Sequence, residues 1–174
     1  MQYKLAISDT NWDTSMACGG CIQARGPRGN TITAMVADKC SGCGQNHLDL
    51  FPDAFAALDN PTRGIIPVTW DWITCPVSES ISLRAKEGAS QWWFALQVLN
   101  SAVRVREMDV STDRGTSWQE TQRMDYDYFI KPGNGGFGMQ TVTVRVTGVN
   151  GKSLVVKNVD VNAGSATTAI GNLA

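Results

Sequence analysis

Residues 141–147 read Thr-Val-Thr-Val-Arg-Val-Thr, and this run constrains the fold more than any other. A period of two puts the three valines on one face of a strand and the polar residues on the other. Asn150-Gly151 follows, a pair suited to a two-residue hairpin turn. Residues 154–161 then supply a return strand. The same alternation recurs upstream. Ile81 and Leu83 alternate with Ser80, Ser82 and Arg84, and Phe94, Leu96 and Val98 alternate with Ala95 and Gln97. Val103, Val105 and Met108 come next, before a turn at Asp113-Arg114-Gly115. Strands at intervals of roughly 8–12 residues with turn residues between them predict a β-sandwich. From Ala163 onward Gly, Ser, Ala and Thr dominate, and residues 163–174 read as a flexible tail.

The first half is also strand-like. Residues 31–36 form an apolar strand, and residues 65–73 alternate with Val68, Trp70 and Trp72 on one face and Thr69 and Asp71 on the other. One short helix is predicted over 52–58: Pro52 stands at its start, Ala and Leu fill it, and Asp59-Asn60-Pro61 stops it. Cys75-Pro76-Val77-Ser78 reads as a linker. The chain thus divides near residue 77 into two all-β units, 1–76 and 79–162, with no internal repeat.

Charge narrows the function classes. Of 174 residues, 15 are Lys or Arg and 16 are Asp or Glu, for a net charge of −1, which argues against wholesale nucleic-acid binding. No apolar run approaches the ~20 residues of a membrane-spanning helix, so no membrane partner is expected. Residues 1–7 hold no apolar stretch long enough for a signal peptide. The single histidine, His47, excludes His-rich metal sites and by itself implies no role.

The five cysteines fall as Cys18-Gly-Gly-Cys21, Cys40-Ser-Gly-Cys43 and Cys75. Two C-x-x-C pairs at this separation match a four-thiolate zinc site. Against it, Cys75 has no role there, an apolar strand runs between the pairs, and the Gly- and Trp-rich β chain resembles secreted proteins that use disulfides. Spacing leaves both readings open.

Two groups of residues have chemistry to offer. Asp38 ends an apolar strand, and Asp49 stands between Leu48 and Leu50. A carboxylate in apolar surroundings can serve as a general acid, although either residue can equally anchor a turn or cap the helix at Pro52. Trp92, Trp93 and Tyr126 are candidate sugar-stacking rings, flanked by Lys86. Strict alternation with Phe94, Leu96 and Val98 turns Trp92 inward and Trp93 outward; exposure of both requires a bulge or twist.

Residues 38–55 (Asp-Lys-Cys-Ser-Gly-Cys-Gly-Gln-Asn-His-Leu-Asp-Leu-Phe-Pro-Asp-Ala-Phe), residues 86–98 (Lys-Glu-Gly-Ala-Ser-Gln-Trp-Trp-Phe-Ala-Leu-Gln-Val) and Met124-Asp-Tyr126 together resemble microbial expansins. The resemblance runs from about Ala17 to Val161. It implies a six-stranded double-psi β-barrel, only partial here, followed by an immunoglobulin-like β-sandwich of the family-63 carbohydrate-binding type. It implies that Asp49, with Asp38 beside it, carries wall loosening without hydrolysis. Trp92, Trp93 and Tyr126 would form a linear platform for cellulose, with Lys86 beside it. Cys40 stands where some bacterial members have a groove Tyr. Cys21 would pair with Cys75 and Cys40 with Cys43, leaving Cys18 alone. The family's Gly-rich opening strands are not recognisable before Ala17, which implies exposed barrel edges. The implied protein is secreted and monomeric, needs no metal or cofactor, and has wall polysaccharides as partners: cellulose, xyloglucan, xylan or peptidoglycan. Alternatives are a weak endoglucanase or lytic transglycosylase with Asp49 as acid, for which no second carboxylate stands out as base, or a carbohydrate-binding module alone.

Overall fold

A computed structural model describes residues 3–174, which form two compact units divided between Val77 and Ser78. The first unit is built on one five-stranded sheet: β1 (Tyr3–Ser8), β2 (Cys21–Arg25), β3 (Thr31–Cys40), β4 (Leu48–Leu50) and β5 (Thr69–Ile73), in the order β4-β1-β3-β2-β5. Only β1 and β3 run parallel. Residues 3–8 thus form an interior strand of the sheet, where the sequence alone shows no recognisable opening strand before Ala17. The reason is local: Leu5 and Ile7 both reach zero exposure in the core.

One face of the sheet carries that core. Leu5, Ile7, Ile22, Ala24, Ile32, Ala34 and Val36 pack together, and Trp70 and Trp72 lie edge-to-face over them at 5.6 Å. Helix α1 (Asp9–Trp12) is capped by Ser8, whose Oγ accepts the Thr10 N–H, and it buries Trp12. Helix α2 (Pro52–Leu58) has Pro at its first turn and presses Ala54 and Leu58 onto the sheet. It stops at Asp59, where the extended backbone ends the helical run and the buried carboxylate meets Arg28 and Arg63. The strand expected over 65–73 begins only at Thr69, because Pro67 cannot donate to a ladder. A disulfide joins Cys21 to Cys75 with 54 residues between them in sequence, and another joins Cys40 to Cys43.

The second unit is a sandwich of two antiparallel sheets. One contains β6 (Ser82–Ala85), β7 (Ala95–Leu99), β10 (Gln122–Arg123), β11 (Phe129–Ile130) and β14 (Ala166–Thr168), in the order β10-β11-β7-β6-β14. The other contains β8 (Val105–Ser111), β9 (Gln119–Glu120), β12 (Thr141–Gly148) and β13 (Ser153–Asp160), in the order β13-β12-β8-β9. Inward residues of both sheets, among them Leu83, Phe94, Leu96, Met108, Val144, Val146 and Val159, make its core. Asn150-Gly151 lies in the β12–β13 connection, with Gly151 at φ 79°, but the turn is longer than the two residues expected, since the Gly148 N–H donates to the Lys152 carbonyl across it.

The tail expected over 163–174 is not loose. Strand β14 pairs with β6, Ala169 and Leu173 are buried, and the Asn172 amide donates to the Glu79 and Asn100 carbonyls. Its small residues suit an edge strand laid against a neighbour, and their lack of bulk made them look structureless.

Candidate functional site

The carboxylates come together through register. Asp49 of β4 pairs with Ala6 of β1, and Asp38 of β3 pairs with the same Ala6 from the other side. Residues opposite one another across a ladder share a face, so both side chains lie on the face away from Leu5 and Ile7. Strict alternation after Ile32, Ala34 and Val36 would have turned Asp38 inward. A bulge intervenes: Leu5 pairs with Val36 and Ala6 with Asp38, so that Ala37 is the extra residue. Both carboxylates are exposed. Two strand spacings place their backbones roughly 10 Å apart. Asp38 Oδ1 accepts the Lys39 N–H at 2.7 Å.

Asp49 borders an open groove of about 640 Å³ lined also by His47, Leu48, Leu50, Phe55 and Ile65. Ile65 is 91 % exposed. The disulfide loop 40–43 flanks this region and is stitched to the first strand and helix. Ser8 Oγ donates to the Cys43 carbonyl at 3.1 Å, and the Gly42 N–H donates to Asp9 Oδ2 at 3.2 Å. Just beyond, Asn11 and Asn46 bond each other twice. Ser8, Asp9 and Asn11 were not singled out from sequence; their partners lie about 35 residues away, which no local pattern reveals. His47 is exposed, and its backbone carbonyl accepts the Ser8 N–H. With Cys21, Cys75, Cys40 and Cys43 in disulfides, four thiolates are not available to hold zinc. Among the described residues, no group of three His, Cys, Asp or Glu is placed to hold a metal ion.

The aromatic residues gather on the second unit. Trp92 is 72 % exposed and Tyr126 50 % exposed. Trp93 is half-buried and packs against the sandwich core. This inverts the alternation expectation. Strand β7 begins only at Ala95, and Trp92 and Trp93 sit in a tight turn closed by Ser90 N–H to Trp93 C=O and Trp93 N–H to Ser90 C=O bonds. A turn carries no period-two rule. Tyr128, not identified beforehand, lies 6.0 Å from Tyr126 ring to ring, with Lys86 Nζ 5.5 Å from its centroid. No local pattern signals it: residues 125–127 form a turn with Asp127 at φ 62°, and that turn, not strand alternation, brings the two rings together. Lys86 thus sits at a tyrosine pair.

Flat rings open to water can stack on the apolar faces of pyranose units. A groove edged by the Asp49 carboxylate can accept hydrogen bonds from sugar hydroxyls; Asp38 lies outside that lining, two strands away on the same face.

No family model matches the chain. It is 34 % identical over 140 residues to Expansin-YoaJ of Bacillus subtilis (strain 168), covering 80 % of this chain and 57 % of that protein. It is 23 % identical over 160 residues to Expansin-like protein 5 of Dictyostelium discoideum, covering 88 % of this chain and 66 % of that one. The chain thus spans little more than half the length of the Bacillus relative. Among solved structures, the crystal structure of apo Clavibacter michiganensis expansin matches with a TM-score of 0.89 at 32 % identity, covering 99 % of this chain and 83 % of that one. An aspartate-to-asparagine variant of the same protein, solved in complex with cellohexaose, matches with the same TM-score at 31 % identity. The shared fold is a double-psi β-barrel followed by a β-sandwich.

Proposed function

The chain belongs to the expansin family, and on that premise we propose that it binds cellulose and loosens plant or microbial cell walls without cutting the polymer. The observation that carries this reading is the exposure of two large rings, Trp92 and Tyr126, on one unit of a chain whose other unit offers an open carboxylate-edged groove. Burying an aromatic ring typically stabilises by a few kcal/mol, so leaving such rings in water is tolerated where a ligand covers them.

In this reading Trp92, Trp93 and Tyr126 form the docking platform, Trp93 through its open side. Tyr128 extends it, and Lys86 holds a positive charge over the Tyr128 ring. The barrel groove receives a glucan chain. Asp49 accepts hydroxyl hydrogen bonds that glucan chains otherwise make to each other, and Asp38 does so two strands away. Exchange of hydrogen bonds breaks no covalent bond and needs no cofactor. The proposed setting is extracellular, with the protein acting as a monomer. Xyloglucan, xylan and peptidoglycan are further candidate polymers.

A second reading has one observation in its favour. Inverting glycoside hydrolysis uses two carboxyl groups roughly 6.5–9.5 Å apart. Asp38 and Asp49 share a face at a separation near that range. The deciding experiment measures filter-paper weakening and soluble reducing sugar together. Weakening without sugar release supports loosening. Turnover abolished by Asp49→Asn would establish a hydrolase instead.

A further inference from the structure

We propose that Gly136 is a positioning residue for the aromatic platform: it lets the loop 131–138 close against the turn that carries Trp92 and so fixes where that ring stands. The inference rests on the reading of Trp92 as a sugar-binding ring and says what holds it.

Trp92 needs such a device. It lies ahead of β7, outside the sheet ladder, and most of its ring is in water. Its backbone N–H bonds only a side chain, Ser90 Oγ, at 3.2 Å. The ring therefore points where the 90–93 turn points it.

Loop 131–138 grips that turn on both sides by main-chain bonds. The Phe94 N–H donates to the Gly135 carbonyl at 3.1 Å, and the Gly138 N–H donates to the Gln91 carbonyl at 2.8 Å. Between these two bonds lies Gly136. A Cβ built there would overlap the Gln91 carbonyl oxygen and stand 2.5 Å from the carbonyl carbons of Gln91 and Trp92. All three atoms are backbone, so no side chain can swing away. Gly133 and Gly138 have φ of 83° and 73° and serve the loop's own turns. Gly136 is outside that left-handed range, so it is required for space, not for conformation.

The loop is itself anchored. Lys131 Nζ donates to the Gly136 carbonyl at 2.9 Å and lies 5.0 Å from the Phe137 ring centroid. Phe137 meets Phe94 edge-to-face at 4.9 Å, and Phe94 is part of the sandwich core. Core, loop and turn form one chain of contacts ending at the exposed ring. A methyl group at 136 forces the loop and the Gln91–Trp92 backbone apart, and stacking on a flat sugar ribbon requires rings held in line.

The test uses 15N-labelled protein, in which the Trp92 indole signal is the one missing from Trp92→Ala. Gly136→Ala is expected to shift that signal and to lower retention on crystalline cellulose several-fold. In a Trp92→Ala background the same change is expected to cost no further retention, an outcome that general loss of stability would not produce. Lys131→Met keeps the glycine and loosens the grip; it should give a smaller loss of the same kind, and it replaces Gly136→Ala if that variant does not fold. An unmoved indole signal with undiminished retention overturns the proposal, and so does an additional loss in the Trp92→Ala background. If Trp92→Ala alone leaves retention unchanged, the platform reading fails, while the indole shift still decides what Gly136 does.

Discussion

Asp38 and Asp49 flank a single residue, Ala6, one from each neighbouring strand. A bulge at Ala37 turns Asp38 to the side that Asp49 already faces. The acid pair exists because of one extra residue in β3.

That pair gives the first prediction. Asp49→Asn is expected to abolish filter-paper weakening, and Asp38→Asn to reduce it. Both side chains are exposed, so the melting temperature should move little. Chromatography of the supernatant should find no soluble sugar from either variant or from the parent. Release by the parent alone would favour hydrolysis.

The two adjacent tryptophans should separate binding from stability. Trp92→Ala should lower cellulose retention several-fold with an unchanged melting curve. Trp93→Ala should lower retention and also cost about 2 kcal/mol of stability, less than the ~3–5 kcal/mol of a fully buried aromatic because Trp93 is half-open. Pull-down beside calorimetry checks both. A Trp92→Ala–Tyr126→Ala double variant should bind less than either single one.

The two disulfides should differ in weight. Cys21–Cys75 closes 54 residues, and its loss in Cys75→Ala should destabilise the first unit by about 4 kcal/mol; Cys40–Cys43 closes a separation of 3 and should contribute much less to stability. Its larger effect is expected on loosening, because Cys43 borders the Asp49 groove. Urea titration of each variant, alongside paper weakening, separates the two effects.

Asp113 should add to the protein's acid sensitivity. Its carboxylate accepts hydrogen bonds from the Ser117 hydroxyl and N–H, from Ser111 Oγ and from the Thr116 N–H, which together hold it well below the usual carboxylate range. A group depressed on folding contributes stability that is present above the ordinary carboxylate pKa of about 4 and is lost as pH falls toward its folded value. The melting temperature of the parent should therefore drop more steeply below pH 4 than that of Asp113→Asn. Equal slopes would count against this loop as a source.

How far residues could be read without coordinates depended on how local their causes are. Helix α2 was legible because Pro52 and the Asp59-Asn60-Pro61 stop act within one turn of it. That β12 and β13 form a hairpin was legible for the same reason at Asn150-Gly151, but the length of the connection was not. Cysteine spacing alone could not choose between zinc and disulfides, since partners such as Cys21 and Cys75 meet only through the β2–β5 pairing. Strict alternation turns Trp92 inward and Trp93 outward; the structure reverses this because a turn stands where alternation presumes a strand. Gly136 carried no pattern of its own. Its constraint comes from a backbone 45 positions earlier in the chain.

The pairing of β14 with β6 has a practical corollary. Ser82 lies beside Thr168, so the sandwich begins and finishes on neighbouring strands. Such adjacency favours circular permutation: a short linker could join the two ends, with new termini opened at the Asn150-Gly151 turn, and the rewired module would retain its ring-bearing surface.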